Sequence, residues 1–202
     1  MKNTLQTLKP SFDLAALIRS AKSNVEETGL PPVDQWEPDF CGEMDLRIRS
    51  DGSWWHEGSR ITRAPLIRLF STILRKDEDG ETYLVTPVEK IKIHVEAGHF
   101  LATRLDVKGE GENQEIFFST NMGDIIKLGA ERPLRVETDA LTLEPSPFVR
   151  VRGRLEAMLT RSVFYELVEY AVERHTDKGA EFGVYGGGAF FPLGPTGIIQ
   201  QV

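Results

Sequence analysis

Short alternations of apolar and polar residues, separated by two- or three-residue turn signals, constrain this chain more than any other feature. Leu46 and Ile48 alternate with Arg47 and Arg49, Asp51-Gly52 supplies a tight turn, and residues 53–56 return as the second arm of a β-hairpin. The pattern continues through the middle. Residues 82–86 follow the Asp79-Gly80 turn, and residues 90–96 place Ile91, Ile93 and Val95 inward with Lys92, His94 and Glu96 outward. Residues 100–107 follow Ala97-Gly98, and residues 116–119 follow the turn over 109–113. Parallel neighbours need crossovers of a dozen or more residues, so strands this close in sequence predict an antiparallel sheet.

Two helical periods interrupt the strands. Ser11 is placed to cap an amphipathic helix with Leu14, Leu17, Ile18, Ala21 and Val25 on one face, and Gly29 stops it. Pro31, Pro32 and Pro38 lack amide donors, so residues 30–38 are expected to run as an extended connector. Thr62 is the expected cap of a helix whose apolar face is Leu66, Leu69, Phe70, Ile73 and Leu74.

That helix has an echo. Ile61-Thr62-Arg63 recurs as Leu159-Thr160-Arg161, followed at the same offsets by Phe164, Leu167, Val168, Ala171 and Val172. Leu46-Arg47-Ile48 finds a counterpart in Leu134-Arg135-Val136, with a longer hairpin through Pro145 and Pro147 in the second copy. Cap, arginine and apolar face agree together, which points to internal duplication. Residues 129–133 look like the seam. The expected organisation is an N-terminal helix and connector over 1–35, a first α+β half over 36–130, and a second, repeat-related half over 131–202. The fold class expected is α+β, each half an antiparallel sheet with a helix.

Charge and cysteine usage narrow the function classes. The chain carries 24 Lys and Arg against 31 Asp and Glu, a net charge of −7, which opposes nucleic-acid polymers and anionic membranes. The single Cys41 excludes an internal disulfide and a cysteine-based zinc site, and fits a reducing compartment. No span approaches the roughly 18 apolar residues of a membrane helix, and residues 1–10 lack a signal peptide's apolar core. A cytoplasmic location is expected.

Catalytic signatures are missing. His56, His94, His99 and His175 show no i, i+4 pair, so no metal site is expected from them. The acids of Asp77-Glu78-Asp79-Gly80 lack the later ligands and closing glutamate of a calcium loop and read as a hairpin turn. Glu43 and Asp45 near Cys41 oppose an activated thiol, which favours a buried structural one. Gly186-Gly187-Gly188 has no lysine to hold a phosphate. No catalytic residue, metal or cofactor is assigned.

Two features carry binding chemistry. Arg150, Arg152 and Arg154 alternate with Val149, Val151 and Gly153, so on a strand they project from one face, roughly 6–7 Å apart. Arg161 follows at a helix start. Such a row suits bidentate contact with phosphate or carboxylate, and it equally suits a solvated face paired with the abundant acids. Trp36, Trp54 and Trp55 lie near His56 and Arg63; Trp54 is the ring assigned to stack on a base, although an indole also suits a core.

Trp36, Pro38, Cys41-Gly42, Asp45, Ile48, Asp51-Gly52-x-Trp54, His56-Glu57-Gly58, Ile61 and Arg63, followed by Tyr83-Leu84-Val85-Thr86-Pro87-Val88-Glu89-Lys90, form a joint pattern. This pattern resembles an uncharacterised bacterial family of a domain of unknown function, over roughly residues 36–172. The resemblance implies a duplicated α+β core whose C-terminal half is superficially pleckstrin-homology-like. It also implies a site for a nucleotide-like molecule between the halves, with a role in signalling. On the matched positions, Arg63, Thr86, Glu89 and Lys90 are the expected interface or ligand contacts, and Glu89 with Lys90 also suits a structural ion pair. The leading expectation is a non-enzymatic ligand-binding or regulatory module. The alternatives are a protein-interaction scaffold, whose arginine row meets an acidic protein partner, and a hydrolase using Glu89 or Asp45.

Overall fold

The computed structural model describes residues 18–19, 29–176 and 179–195. The expected N-terminal helix therefore lies outside the described residues, apart from Ile18 and Arg19, which are helical. A 3-10 turn at Val33–Gln35 follows the first two prolines of the connector.

The first sheet grows from hairpins where the turn residues require them. Strands β1 (Phe40–Ile48) and β2 (Trp54–His56) are joined by the Asp51-Gly52 turn. There the Asp51 Oδ1 accepts the Ser53 amide at 2.9 Å and its hydroxyl at 2.5 Å, while Gly52 sits at φ 74°. Next come β3 (Ser59–Arg60), helix α1 (Ala64–Thr72), β4 (Leu74–Lys76), β5 (Thr82–Val85) and β6 (Lys90–Val95). The sheet order is β3-β2-β1-β6-β5-β4. Ile91 and Ile93 are buried and His94 is exposed, as the alternation requires. Strand β5 is buried on both faces, because Tyr83 on its outer side is covered by Lys90 and by the edge of Phe40.

The second sheet holds β7 (Phe100–Lys108), β8 (Glu115–Thr120), β9 (Ile125–Lys127), β10 (Leu134–Thr138), β11 (Pro145–Arg152) and β12 (Leu155–Leu159). Its order, β10-β11-β12-β7-β8-β9, is that of the first sheet read from the other edge with six added to each strand number. Helix α2 (Arg161–Val168) follows, and β13 (Val172–Thr176), β14 (Gly179–Gly186) and β15 (Ala189–Pro195) form a separate three-stranded antiparallel sheet. The described residues are thus mostly β-sheet with two short helices.

The duplication is real, but it does not run through the residues that suggested it. Strand order pairs β1 with β7 and β4 with β10, so Leu46-Arg47-Ile48 on β1 and Leu134-Arg135-Val136 on β10 are not equivalent. The helices are not equivalent either, since α1 lies between the third and fourth strands of its sheet and α2 follows the sixth. Any amphipathic helix beside a sheet needs the same apolar spacing, and that shared requirement produced the match. Their caps differ too. Arg63, not Thr62, is the N-cap of α1, with Pro65 in its first turn, whereas Thr160 caps α2. Helix α2 ends at Val168 and buries Val163, Phe164 and Leu167, so Val172 begins β13 instead of extending the helical face.

Sheet pairing departs from expectation between the first and last strands of the second sheet. Strands β7 and β12 pair in parallel, through Phe100 with Ala157 and Ala102 with Leu159. The tight-turn argument governs consecutive strands, and these two are the first and last of their sheet. Gly98 lets the pair close: a Cβ there would lie 2.7 Å from the Met158 amide nitrogen.

The chain divides into two compact units. One holds the described residues up to Leu46 together with His56–His94; the other holds Arg47–Trp55 and the chain from Val95 onward. Residues 129–133, expected to be the seam, connect β9 to β10 inside the second sheet. In the first unit Leu46, Phe70, Ile73, Leu74, Leu84 and Ile91 are fully buried. Each such side chain contributes about 1.5–3 kcal/mol of transfer free energy. In the second unit Phe100, Phe118, Val149, Ala157 and Leu167 are buried to within about one percent.

Candidate functional site

In the first unit, the matched residues are drawn into structure. Thr86 is fully buried at the β5–β6 turn, where its Oγ1 accepts the amides of Val88 at 3.4 Å and Glu89 at 3.1 Å. Its own amide donates to the Glu89 carbonyl at 2.9 Å. Glu89 is half-buried in the same turn, and its neighbour does not pair with it. Lys90 instead reaches Asp77 at 2.5 Å and lies 4.1 Å above the Tyr83 ring. Arg63 is exposed, with its carbonyl accepting the Leu66 and Ile67 amides that open α1.

Asp77, at the start of the expected hairpin turn, is the hub of a charged cluster. Arg75 donates from Nε to Asp77 Oδ1 at 2.7 Å and from Nη2 to Oδ2 at 3.2 Å, and its Nη1 donates to the carbonyls of Val33 at 2.9 Å and Trp36 at 2.6 Å. One guanidinium thus ties the proline-rich connector to β4. Burial alone would raise the Asp77 carboxyl, but the hydrogen bonds and charges of Arg75 and Lys90 outweigh it and hold the group below the ordinary range. Tyr83 donates to Asp79 Oδ2 at 2.6 Å, and this bond, reinforced by burial, pushes its phenol up to about 12. Arg75 and Asp77 sit two apart, the spacing of one strand face, which is the only sequence signal that could have found them.

The second unit holds the arginines. Arg150 lies exposed on β11 opposite Glu156, and a register shift between Arg150 and Arg152 breaks the regular alternation. Arg152 Nη1 donates to Asp124 Oδ1 at 3.2 Å, and its guanidinium stands 5.0 Å from the Phe100 ring centroid. Arg154 is off the strand, in the β11–β12 turn next to Gly153 at φ 50°. The single-faced row is therefore replaced by a cluster along the backbone at the end of β11, with Arg150 and Arg152 on either side of the register shift and Arg154 in the turn beyond. The structure adds Arg132, because the Arg150 amide donates to the Pro133 carbonyl at 3.1 Å and so brings residue 132 alongside; Arg132 is exposed. Only the sheet order could have revealed this neighbour.

Two assignments fall away from that cluster. Arg161 is exposed and pairs with Glu144 at 3.2 Å, tying α2 to the β10–β11 hairpin. Trp54 is fully buried, so it is a core ring and cannot stack on a ligand from solvent. Trp55 is half-buried instead, with the Arg49 guanidinium 3.9 Å from its ring centroid. Beside the cluster, Arg135 grips Glu156 with two hydrogen bonds of 2.7 and 2.6 Å and lies over Phe148, and its guanidinium is held even more firmly protonated than usual by that carboxylate.

The remaining candidates are structural. His99 is buried, with Nδ1 accepting the Glu156 amide at 3.2 Å while its own amide donates to the Glu156 carbonyl at 2.9 Å, which places the ring proton on Nε2. His94 and His175 are exposed. Cys41, expected buried, is half-exposed and donates to the Asp39 carbonyl at 3.3 Å. Asp45 is exposed on β1. Among the described residues no three His, Cys, Asp or Glu side chains gather where they could hold a metal ion. No helix there is long and apolar enough to cross a membrane.

Comparison with known proteins agrees with the two-part architecture. Residues 31–98 match the N-terminal domain of a domain of unknown function, DUF1285, and residues 99–193 match the C-terminal domain of the same family. No curated protein matches. The crystal structure of a DUF1285 family protein from Silicibacter pomeroyi DSS-3 is 39% identical and superposes with a TM-score of 0.81, covering 91% of this chain and 97% of that one. A DUF1285 family protein from Shewanella baltica OS155 is 23% identical with a TM-score of 0.48, over 63% of this chain and 92% of that one. With both family domains present in order along the chain and a solved relative matching over nearly its whole length, this protein belongs to the DUF1285 family, whose function is unknown.

Proposed function

We propose that this protein is a non-enzymatic regulatory binding module whose second unit takes an anionic, nucleotide-like ligand at the arginine cluster. The observation that carries the reading is the gathering of Arg132, Arg150, Arg152 and Arg154 at one end of β11 in a chain of net charge −7. Four arginines at neighbouring backbone positions raise the local density of positive charge against the overall field, and the planar fork of a guanidinium matches phosphate oxygens. Asp124 supports Arg152 from the side, as a positioning group would.

A role in signal transduction and a cytoplasmic location belong to the same proposal. It is supported by the sheet in which first and last strands lie side by side, followed by a helix, an order in keeping with a pleckstrin-homology-like module. Fold likeness supplies no ligand, so the arginines carry the argument.

The test is thermal-shift screening against mono-, di-, cyclic and dinucleotides, repeated with Arg132→Ala and Arg150→Ala. Ligand at 100 times its dissociation constant stabilises the fold by about 2.7 kcal/mol. A saturable shift lost in both variants supports the site. No shift across the panel, or an equal shift in both variants, removes it.

A further inference from the structure

Strand β13 (Val172–Thr176) is the outer strand of the third sheet, whose order is β13-β14-β15. Several other sheet edges are short or covered. Strands β3, β4 and β9 hold two or three residues each, and the edge strand β10 lies against β15. Strand β13 has five residues, and no further strand pairs with it among the described residues. A row of open backbone donors and acceptors is a template for another strand.

The register of β13 decides which groups are open. Its ladder with β14 runs from Val172 opposite Gly183 to Thr176 opposite Gly179, and only two residues connect the strands. Across so short a connection Thr176 and Gly179 form the pair that exchanges both hydrogen bonds, and such pairs recur at Arg174 with Glu181 and at Val172 with Gly183. The amides and carbonyls of Glu173 and His175 therefore point away from β14. Their side chains are exposed on one face, with His175 Nε2 3.8 Å from Glu173 Oε1. Arg174 projects from the other face, where it pairs with Glu181 at 2.8 Å and lies 3.9 Å from the Phe190 ring centroid.

These groups fit a second copy of the same strand. An incoming antiparallel strand must set its outward backbone groups against those of Glu173 and His175, so a copy of β13 shifts only in steps of two residues. Centred on Arg174, the pair uses all five residues and puts each Glu173 opposite the second copy's His175, and each Val172 opposite its Thr176. A shift of two residues in either direction puts Glu173 opposite Glu173 or His175 opposite His175 instead, and like charges directly opposite are unfavourable. In the centred register the two Arg174 side chains meet on the other face, each with its charge already answered by its own Glu181.

We propose that the protein self-associates through β13 as a two-fold symmetric dimer, joining two three-stranded sheets into one antiparallel sheet of six strands. Both copies use the same edge, so assembly stops at two. The association is separate from the arginine cluster and does not rest on its ligand.

The experiment is light scattering on the full chain during size-exclusion chromatography, over a series from micromolar to millimolar concentration. The expected result is a concentration-dependent dimer. Glu173→Pro removes an outward amide that β14 does not use, so it should abolish the dimer and leave the melting temperature of the dilute protein unchanged. Glu173→Lys should raise the dimer dissociation constant about tenfold by removing the carboxylate that faces His175, and adding His175→Glu should restore the parent value by returning opposite charges across the axis. In a Cys41→Ser background, Arg174→Cys should yield a disulfide-linked dimer on oxidation, because position 174 faces itself in the closer type of pair, with Cα atoms about 4.5 Å apart. A monomer at every concentration, a dimer indifferent to Glu173→Lys, an exchange that fails to restore it, or assemblies larger than two each overturn the proposal.

Discussion

The Arg75 cluster of the first unit and the arginine cluster of the second are built from the same side chains and have opposite characters. Around Asp77, the two cations meet a carboxylate and two backbone carbonyls, and Arg75 is only 11% exposed. Around the end of β11, Arg132, Arg150 and Arg154 are exposed and only Arg152 is partly buried. A desolvated charge must find its partners within the fold, so a buried cluster is closed and structural. An exposed guanidinium keeps more of its hydration than a buried one, so a ligand can displace that water at lower cost. The difference teaches that arginine density alone says little, and that burial decides whether it serves stability or binding.

The sharpest way to break this comparison is Arg75→Leu. It strands the Val33 and Trp36 carbonyls and leaves Asp77 with Lys90 alone, and should cost about 3 kcal/mol by urea unfolding. A loss below about 1 kcal/mol would make the two clusters alike. Gly98→Ala tests the packing frame beside the second cluster: with backbone atoms of Met158 and Phe100 under 3 Å from the new Cβ, it should cost about 1–3 kcal/mol.

The pH dependence sharpens the contrast. Tyr83 is raised in the folded state, so its contribution is fully present below about pH 10 and is lost as pH rises through about 12. Tyr83→Phe should remove that alkaline loss, seen as a flatter melting temperature between these values. Asp77 is lowered, so its contribution is present above the ordinary carboxylate range and is lost as pH falls through the depressed value. Arg75→Leu should weaken that acid limb.

Smaller effects follow at the surface. Leu143→Gly should change stability by at most about 1 kcal/mol and in the stabilising direction, because it relieves a left-handed leucine. Arg150→Ala should stay within about 0.5 kcal/mol of the parent in urea while abolishing any nucleotide-dependent shift. A large loss of stability there would move the second cluster into the structural class.

Much of the fold was legible locally. Asp51-Gly52 and Asp79-Gly80 carry their own turn chemistry, and the Ile91 and Ile93 alternation announces which face of β6 is buried. The internal duplication was legible as an idea and misaligned in detail, because helices α1 and α2 satisfy the same periodicity without being equivalent. The candidate site was harder. The sequence points to Thr86, Lys90 and Trp54 as ligand contacts, but the fold uses them as a turn bridge, an ion-pair partner and a core ring. Arg75 and Asp77 are neighbours in sequence, but what makes them a hub, the Val33 and Trp36 carbonyls and Lys90, lies at distant positions, and Arg132 comes beside Arg150 only through the β10–β11 pairing.

The sequence by itself determined the short strands, their turns, the two described helices, the acidic balance and the family, all of which depend on neighbouring residues or composition. Tertiary structure alone decided that β7 and β12 run in parallel, that Arg154 leaves the face it was expected to share, and that one guanidinium holds the connector through two carbonyls. Those outcomes depend on which strands lie side by side and how much water each charge keeps, and both are set by the closure of whole sheets.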